Sequence, residues 1–118
     1  MGIEVEQAAV EAFGDDWRIT WRIRNMELEP VEISGAWLPH GGFRGAQREL
    51  RPLLVVPAGE DALLESTVAV DAPNGLVENA FLILRTSAGR VYARLRVTLE
   101  PDGSPSAVCE SVTTQPAG

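Results

Sequence analysis

The stretch Trp17-Arg18-Ile19-Thr20-Trp21-Arg22-Ile23-Arg24 places an apolar residue at every odd position and a polar residue at every even position. Side chains alternate between the two faces of a β-strand, so this pattern predicts a strand with one buried and one solvated face. Trp17 and Trp21 share their face with Ile19 and Ile23. We therefore expect both tryptophans in the core rather than on an exposed aromatic platform.

The same alternation returns over residues 91–99 and predicts a second long strand. Five shorter candidates, separated by turns rich in Gly, Pro, Asp and Asn, bring the total to about seven. They cover residues 3–12, 31–38, 50–56, 63–70 and 80–86. No segment shows a sustained helical period of apolar residues. The sequence predicts an all-β fold: an immunoglobulin-like antiparallel β-sandwich of about seven strands, with Greek-key connections and little or no helix.

The chain has 118 residues, which is the size of one domain. All candidate strands lie within residues 1–100. From Pro101 onward the chain is rich in Ser, Thr, Pro and Gly and poor in apolar residues. Such segments bury too little apolar surface to offset the entropy of ordering. We expect residues 1–100 to form the sandwich and residues 101–118 to form a disordered C-terminal tail.

The formal net charge of −7 restricts the partners of this chain. Because polyanions repel an acidic protein, we expect neither nucleic acid nor a membrane surface as a partner. No apolar run approaches the roughly 18 residues of a membrane helix, and the N-terminus lacks the basic and apolar regions of a signal peptide, so we expect a cytoplasmic protein. The single cysteine, Cys109, cannot form an intrachain disulfide and is expected to be an incidental thiol in the tail.

Two short motifs resemble those of bacterial immunoglobulin-like and fibronectin type III-like domains. The first is the strand 17–25, ending at Asn25 and followed by Pro30 and Val31-Glu32-Ile33. The second is Leu53-Leu54-Val55-Val56-Pro57-Ala58-Gly59-Glu60, an apolar run followed by a turn with Pro, Gly and an acid. The resemblance covers residues 3–100 and implies a disulfide-free sandwich. It implies no catalytic or ligand-binding residue, and fold alone leaves function open.

The glycine-rich segment Trp37-Leu38-Pro39-His40-Gly41-Gly42-Phe43-Arg44 is expected to form a loop between two strands. Aromatic residues and arginines on flexible loops favour protein interfaces. Catalysis by the histidine would need a nucleophile and an orienting carboxylate, which the sequence does not identify, so a partner contact and a plain loop residue remain. The alternative for Phe43 is that its ring packs against the end of the core. The candidate interaction residues of this segment are Trp37, His40, Phe43, Arg44 and Arg48.

Outward-facing arginines distinguish the two expected sheets. Arg18, Arg22 and Arg24 have acidic neighbours in the strands expected on either side of them, which favours cross-strand ion pairs. The arginines of the opposite sheet lack obvious carboxylate partners. That second surface is therefore the better candidate for contacting a partner, and its candidate residues are Arg85, Tyr92, Arg94 and Arg96.

The leading hypothesis is a noncatalytic protein-interaction module that binds an unidentified protein or associates with itself as a homodimer. The alternative is a small-molecule or carbohydrate-binding domain that uses Trp37, Phe43 and nearby arginines. A lone histidine and a distant lone cysteine provide no metal-ligand spacing, and phosphate-loop, dinucleotide and nucleophile-elbow motifs are missing from the sequence. We expect no cofactor, no metal and no enzymatic activity.

Overall fold

Eight β-strands form the regular secondary structure of residues 2–116, the part of the chain described by this computed structural model. No helix occurs in that part of the chain, and the all-β class expected from the alternation is confirmed. There is one strand more than the sequence predicts. The strands are β1 (Ile3–Phe13), β2 (Asp16–Asn25), β3 (Val31–His40), β4 (Phe43–Val56), β5 (Asp61–Val70), β6 (Leu76–Thr86), β7 (Gly89–Leu99) and β8 (Pro105–Gln115).

Neighbouring strands are antiparallel throughout, in the order β1-β2-β5-β4-β3-β6-β7-β8. The junction between β5 and β4 is narrow, because only Phe43 with Val70 and Arg44 with Ala69 are paired across it. The junction divides the sheet into two halves. Strands β1, β2 and β5 form one half and the other five strands form the second, and the buried side chains of both halves belong to one apolar core.

The two outermost strands approach each other and nearly close the sheet. Gln7 of β1 makes this connection with its side-chain amide, which donates to the carbonyl of Pro105 at 3.0 Å and accepts from the N–H of Ala107 at 2.7 Å. One amide group thus satisfies a donor and an acceptor at the edge of β8. This Gln7 bridge joins residues from opposite ends of the described chain.

The core follows the alternation of the strands. Ile19, Trp21 and Ile23 of β2 are fully buried, and Trp21 meets the ring of Phe43 edge-on at 6.3 Å between centroids. Burying each such aliphatic or aromatic side chain contributes about 1.5–3 kcal/mol. Trp17 differs from the expectation, because it lies at the start of β2 and is only half-buried.

The segment after Pro101, expected to be a disordered tail, instead forms a turn and strand β8. Asp102 organises the turn by accepting hydrogen bonds from the N–H of Ser104 at 2.9 Å and from its hydroxyl at 2.6 Å. Strand β8 then pairs with β7 over its whole length and buries Ala107. Residues 117 and 118 of the expected tail lie outside the described residues.

The glycine-rich segment is also not the loop that the sequence predicts. His40 pairs with Phe43, so β3 and β4 form a tight hairpin, and β4 begins seven residues before the expected position 50. Gly42 is required because a Cβ there would lie 2.8 Å from the carbonyl oxygen of Asp71. At Gly45 a Cβ would lie 3.0 Å from the carbonyl oxygen of Thr67. These glycines allow β4 to approach β5 at the junction.

Candidate functional site

The outward surface of β3, β6 and β7 carries a continuous row of large side chains. Trp37 of β3 is paired with Ile83 of β6, and Ile83 is paired with Tyr92 of β7. In the next row Phe81 is paired with Arg94. Paired residues lie about 4.5–5.5 Å apart at Cβ, so these side chains form one patch. We call this patch, composed of Trp37, Phe81, Ile83, Tyr92 and Arg94, the aromatic–arginine face.

Two of the three aromatic rings of this face are held by contact with each other. Phe81 and Tyr92 are edge-on at 6.4 Å between centroids, and the Tyr92 hydroxyl donates to the side-chain oxygen of Gln115 at 3.3 Å. Trp37 retains 39% of its surface exposure, and the other four members are half-buried. A rigid aromatic surface loses little conformational entropy when it is covered, which is typical of interface anchors.

The charges on this half of the sheet are only partly compensated. Arg85 forms an ion pair with Glu49, and Arg96 lies 3.7 Å from Glu78. Within residues 2–116, Arg90 and Arg94 form no ion pair. The Nε of Arg94 is in addition buried without a hydrogen-bond partner in that range. A buried donor without a partner is costly to the fold.

The ion pairs of this region lower the pKa of one carboxyl group. The guanidinium of Arg85 donates a hydrogen bond to Glu49, and this bond holds the pKa of the Glu49 carboxyl below its ordinary value. Arg85 also donates to the hydroxyl of Ser34 at 3.0 Å. Arg85, expected to contact a partner, is therefore occupied within the chain.

The arginines of the opposite half are paired, as the sequence predicts for β2. Arg22 donates to Glu6 at 2.6 Å, and this hydrogen bond raises the pKa of the guanidinium above its ordinary value. Arg18 is paired with Glu11 at 3.0 Å, and Arg24 lies 3.7 Å from Asp61. This half of the molecule presents a compensated surface, in contrast to the aromatic–arginine face.

The candidates from the glycine-rich segment are dispersed by the structure. The Nδ1 of His40 accepts the N–H of Gly42 at 2.9 Å, and Arg44 donates to the carbonyl of Gly41 at 2.8 Å, so both side chains support the hairpin turn. Phe43 has no exposed surface and packs in the core. Only Trp37 of this segment reaches the aromatic–arginine face.

A groove of about 570 Å³ lies between β4 and β5, and Trp37 is among its lining residues. Arg48 spans this groove by donating to the carbonyl of Glu65 at 2.8 Å. Arg48 is thus separated from the hairpin turn with which the sequence grouped it. The groove is open, and its size lies in the range of ligand sites.

Two members of the aromatic–arginine face, Phe81 and Ile83, are not among the interaction residues that the sequence predicts. Their signal is the uninterrupted apolar run over residues 80–84. A strand that is apolar at successive positions is apolar on both faces, which is typical of strands covered on both sides. Leu82 and Leu84 take the inner positions and are fully buried, so Phe81 and Ile83 must point outward.

The remaining chemistry of the described chain is sparse. Burial raises the pKa of the Cys109 thiol, which lies on β8 opposite Leu95 rather than in a tail. Residues 2–116 contain no group of three or more His, Cys, Asp or Glu side chains arranged to hold a metal ion. They also contain no helix with the length and apolarity needed to cross a bilayer.

Comparison with protein-family models, with curated proteins and with solved structures returns no match to this chain.

Proposed function

We propose that this protein is a noncatalytic protein-interaction module that binds an acidic surface of another protein through its aromatic–arginine face. The observation that carries the proposal is the cross-strand patch in which Trp37, Ile83 and Tyr92 form one row beside Phe81 and Arg94. Tyrosine, tryptophan and arginine dominate the binding energy of protein interfaces, especially when they cluster at the centre of a patch.

The uncompensated charge of this face indicates the chemistry of the partner. Arg90 and Arg94 form no ion pair within the described residues, and the buried Nε of Arg94 has no acceptor there. A carboxylate from a partner would pair with these uncompensated guanidinium groups in charge-assisted hydrogen bonds. A second copy of the same face would instead bring like charges together. The homodimer expected from the sequence is therefore not the assembly that we place on this face.

The strand order supports an immunoglobulin-like classification as part of this proposal. In that fold strands A, B and E share one sheet and strands C, F and G share the other. Here β1, β2 and β5 are neighbours, and β3, β6 and β7 are neighbours. Strand β8 would then be an addition beside the seventh strand. Sandwich domains of this architecture serve many unrelated functions, so the face and not the fold carries the functional argument.

The small-molecule alternative loses one of its two aromatic residues. It relies on Phe43 together with Trp37, but Phe43 is fully buried against Trp21. The groove beside Trp37 is open and has no second aromatic side chain among its lining residues. This arrangement favours the interaction module.

A peptide display library panned against the purified protein tests the proposal. We expect enrichment of peptides that combine Asp or Glu with apolar residues. Their affinity should fall at least about tenfold in the separate variants Tyr92→Ala and Arg94→Ala, as for interface anchors. Arg24→Ala, an exposed arginine on the opposite half, is the matched control and should bind like the original protein. Enriched peptides that bind Tyr92→Ala and Arg94→Ala unchanged would contradict the proposal.

A further inference from the structure

Strands β4 and β5 leave two open edges that face each other. They are paired only at Phe43 with Val70 and at Arg44 with Ala69, and beyond these residues they diverge. Over residues 61–68, β5 is paired with β2 on one side and with no strand of the described chain on the other. Residues 50–53 of β4 also bulge out of the ladder with β3. An edge of this length is a template for a further strand.

The space between these edges is a groove that runs along both strands. One part has a volume of about 570 Å³ and the adjoining part about 390 Å³, and both are lined by Arg48 and Glu49. We call the two parts together the β4–β5 groove. Leu53 and Leu63 stand at its far part and are 46% and 57% exposed. Exposed leucines on an open edge offer apolar surface to a side chain from outside.

The peptide groups of β5 point into this groove at alternate residues. The carbonyl of Glu65 accepts from the Arg48 guanidinium, and the carbonyl of Thr67 lies at the position where a Cβ of Gly45 would meet it. Both residues are odd-numbered, and peptide groups two residues apart point to the same side of a strand. Leu63 therefore directs its backbone N–H and C=O to the same side. The carbonyl of Glu65, at the centre of this edge, is satisfied by the side chain of Arg48 and not by a neighbouring strand.

The charge of the groove favours an acidic occupant. Arg48 and Arg51, which line the groove, form no ion pair within residues 2–116. Of the two carboxylates at the groove, Glu49 is neutralised by Arg85, which leaves Glu65. Two uncompensated cations against one uncompensated anion produce an attractive potential for carboxylates.

We infer that the β4–β5 groove binds an extended acidic and apolar segment of a partner protein, which adds to the edge of β5 as a further β-strand. The segment's N–H would replace Arg48 at the carbonyl of Glu65. Arg48 would then be released to bind a carboxylate of the segment, while apolar side chains of the segment would cover Leu53 and Leu63. This is recognition by strand addition, in which the backbone supplies affinity and alternate side chains supply specificity.

Synthetic peptides test this inference. The probe is a capped peptide of about eight alternating Glu and Val residues, which spans an edge of this length. Its controls are the same peptide with Lys in place of Glu, and the Glu peptide with N-methyl groups at alternate residues. We expect the Glu peptide to bind at least about tenfold more tightly than either control. N-methylation keeps the side chains and removes the backbone donors, so equal binding of the methylated peptide would overturn the inference.

Amide NMR on the full chain locates the contact. We expect chemical-shift changes at Leu63, Glu65 and Gln47, all of which line the groove. We also expect a loss of binding of at least about tenfold in Arg48→Glu. Arg24→Glu alters the net charge by the same amount on the opposite half of the sheet, outside the groove, and should leave this binding unchanged. Leu63→Glu changes an exposed residue of the groove and tests the same loss of binding if Arg48→Glu does not fold. Shifts confined to Phe81 and Tyr92 would overturn the groove inference and would support the proposed function instead.

Discussion

At the scale of single residues, Asn25 connects more of the molecule than any charged group described above. Its side-chain amide donates to the carbonyls of Glu29 at 2.8 Å and Val56 at 3.0 Å, and its oxygen accepts the N–H of Glu27 at 2.8 Å. The residue is fully buried. It joins the end of β2 to the following turn and to the end of β4.

Replacement of this residue tests how much these bonds contribute. We expect Asn25→Ala to lower the free energy of unfolding by about 2–4 kcal/mol, because the buried carbonyl of Val56 and the partly buried backbone groups of Glu27 and Glu29 lose their partner. Urea denaturation measures the change. Asn74→Ala, at an exposed turn position, should change stability by less than about 0.5 kcal/mol. A loss at Asn25 as small as that of this control would contradict the role assigned to it.

At the scale of strands and turns, the junction between β4 and β5 depends on glycine. We expect Gly42→Ala to destabilise the protein by about 1–3 kcal/mol, since its Cβ would press against a backbone carbonyl that has little freedom to move. Gly41→Ala is the matched control, because a Cβ at Gly41 meets nothing within 4 Å. Thermal unfolding followed by circular dichroism compares the two neighbours, and equal midpoints would contradict the close approach.

The turn before β8 predicts a specific dependence on pH. Hydrogen bonds from the hydroxyl and N–H of Ser104 lower the pKa of the Asp102 carboxyl. A carboxyl with a lowered pKa stabilises the fold above its unfolded pKa and loses this contribution as the pH falls through its folded pKa. We expect Asp102→Ala to be less stable than the original protein at neutral pH, with the difference shrinking in acid.

Urea titrations at several pH values measure the effect of Asp102→Ala. Asp102→Asn retains an acceptor for both Ser104 groups and should recover part of the neutral-pH stability without the dependence on pH. A stability difference that stays constant from neutral to acidic pH would show that the Asp102 carboxylate does not provide it.

Comparison of the expected and observed elements shows which signals a sequence carries. Strands 17–24 and 91–99 alternate strictly and were predicted correctly, since one face of each is buried. Strand β8 was missed because its ladder with β7 is interrupted by a bulge, which breaks the alternation over residues 109–111. The turn Pro101-Asp102-Gly103-Ser104 was the available signal. The start of β4 was missed because both of its faces are largely polar beside the groove.

The candidate site was predicted only in part, for a related reason. Tyr92 and Arg94 follow from the alternation of β7 alone. Trp37 joins them only through the register of β3 against β6, and bulges in β3 shift that register in a manner that no local pattern encodes. Likewise, the pairing of Arg85 with Glu49 links residues of two different strands. Long-range register therefore decides which arginines remain uncompensated.

At the scale of the whole molecule, an acidic chain segregates its uncompensated cations. The net charge is −7, but each proposed binding surface has uncompensated arginines: Arg94 on the aromatic–arginine face, and Arg48 and Arg51 along the β4–β5 groove. We expect the affinity for acidic peptides to fall several-fold when NaCl rises from about 0.05 to 0.5 M, because salt screens exposed charges. Isothermal titration calorimetry at both NaCl concentrations measures the change in affinity. Unchanged affinity would assign the binding to apolar contacts alone.

The Gln7 bridge has a consequence for how slowly the native state unfolds. It joins Gln7 to Pro105 and Ala107, so the last gap in the sheet closes between segments that are almost the whole chain apart. All-β domains rich in such distant contacts fold in milliseconds to seconds, because closing a long loop costs entropy. We therefore expect the Gln7 bridge to form late in folding. A contact that forms after the transition state lowers the unfolding rate and leaves the folding rate unchanged. The contact between the two ends of the chain thus contributes to kinetic stability, because it slows unfolding.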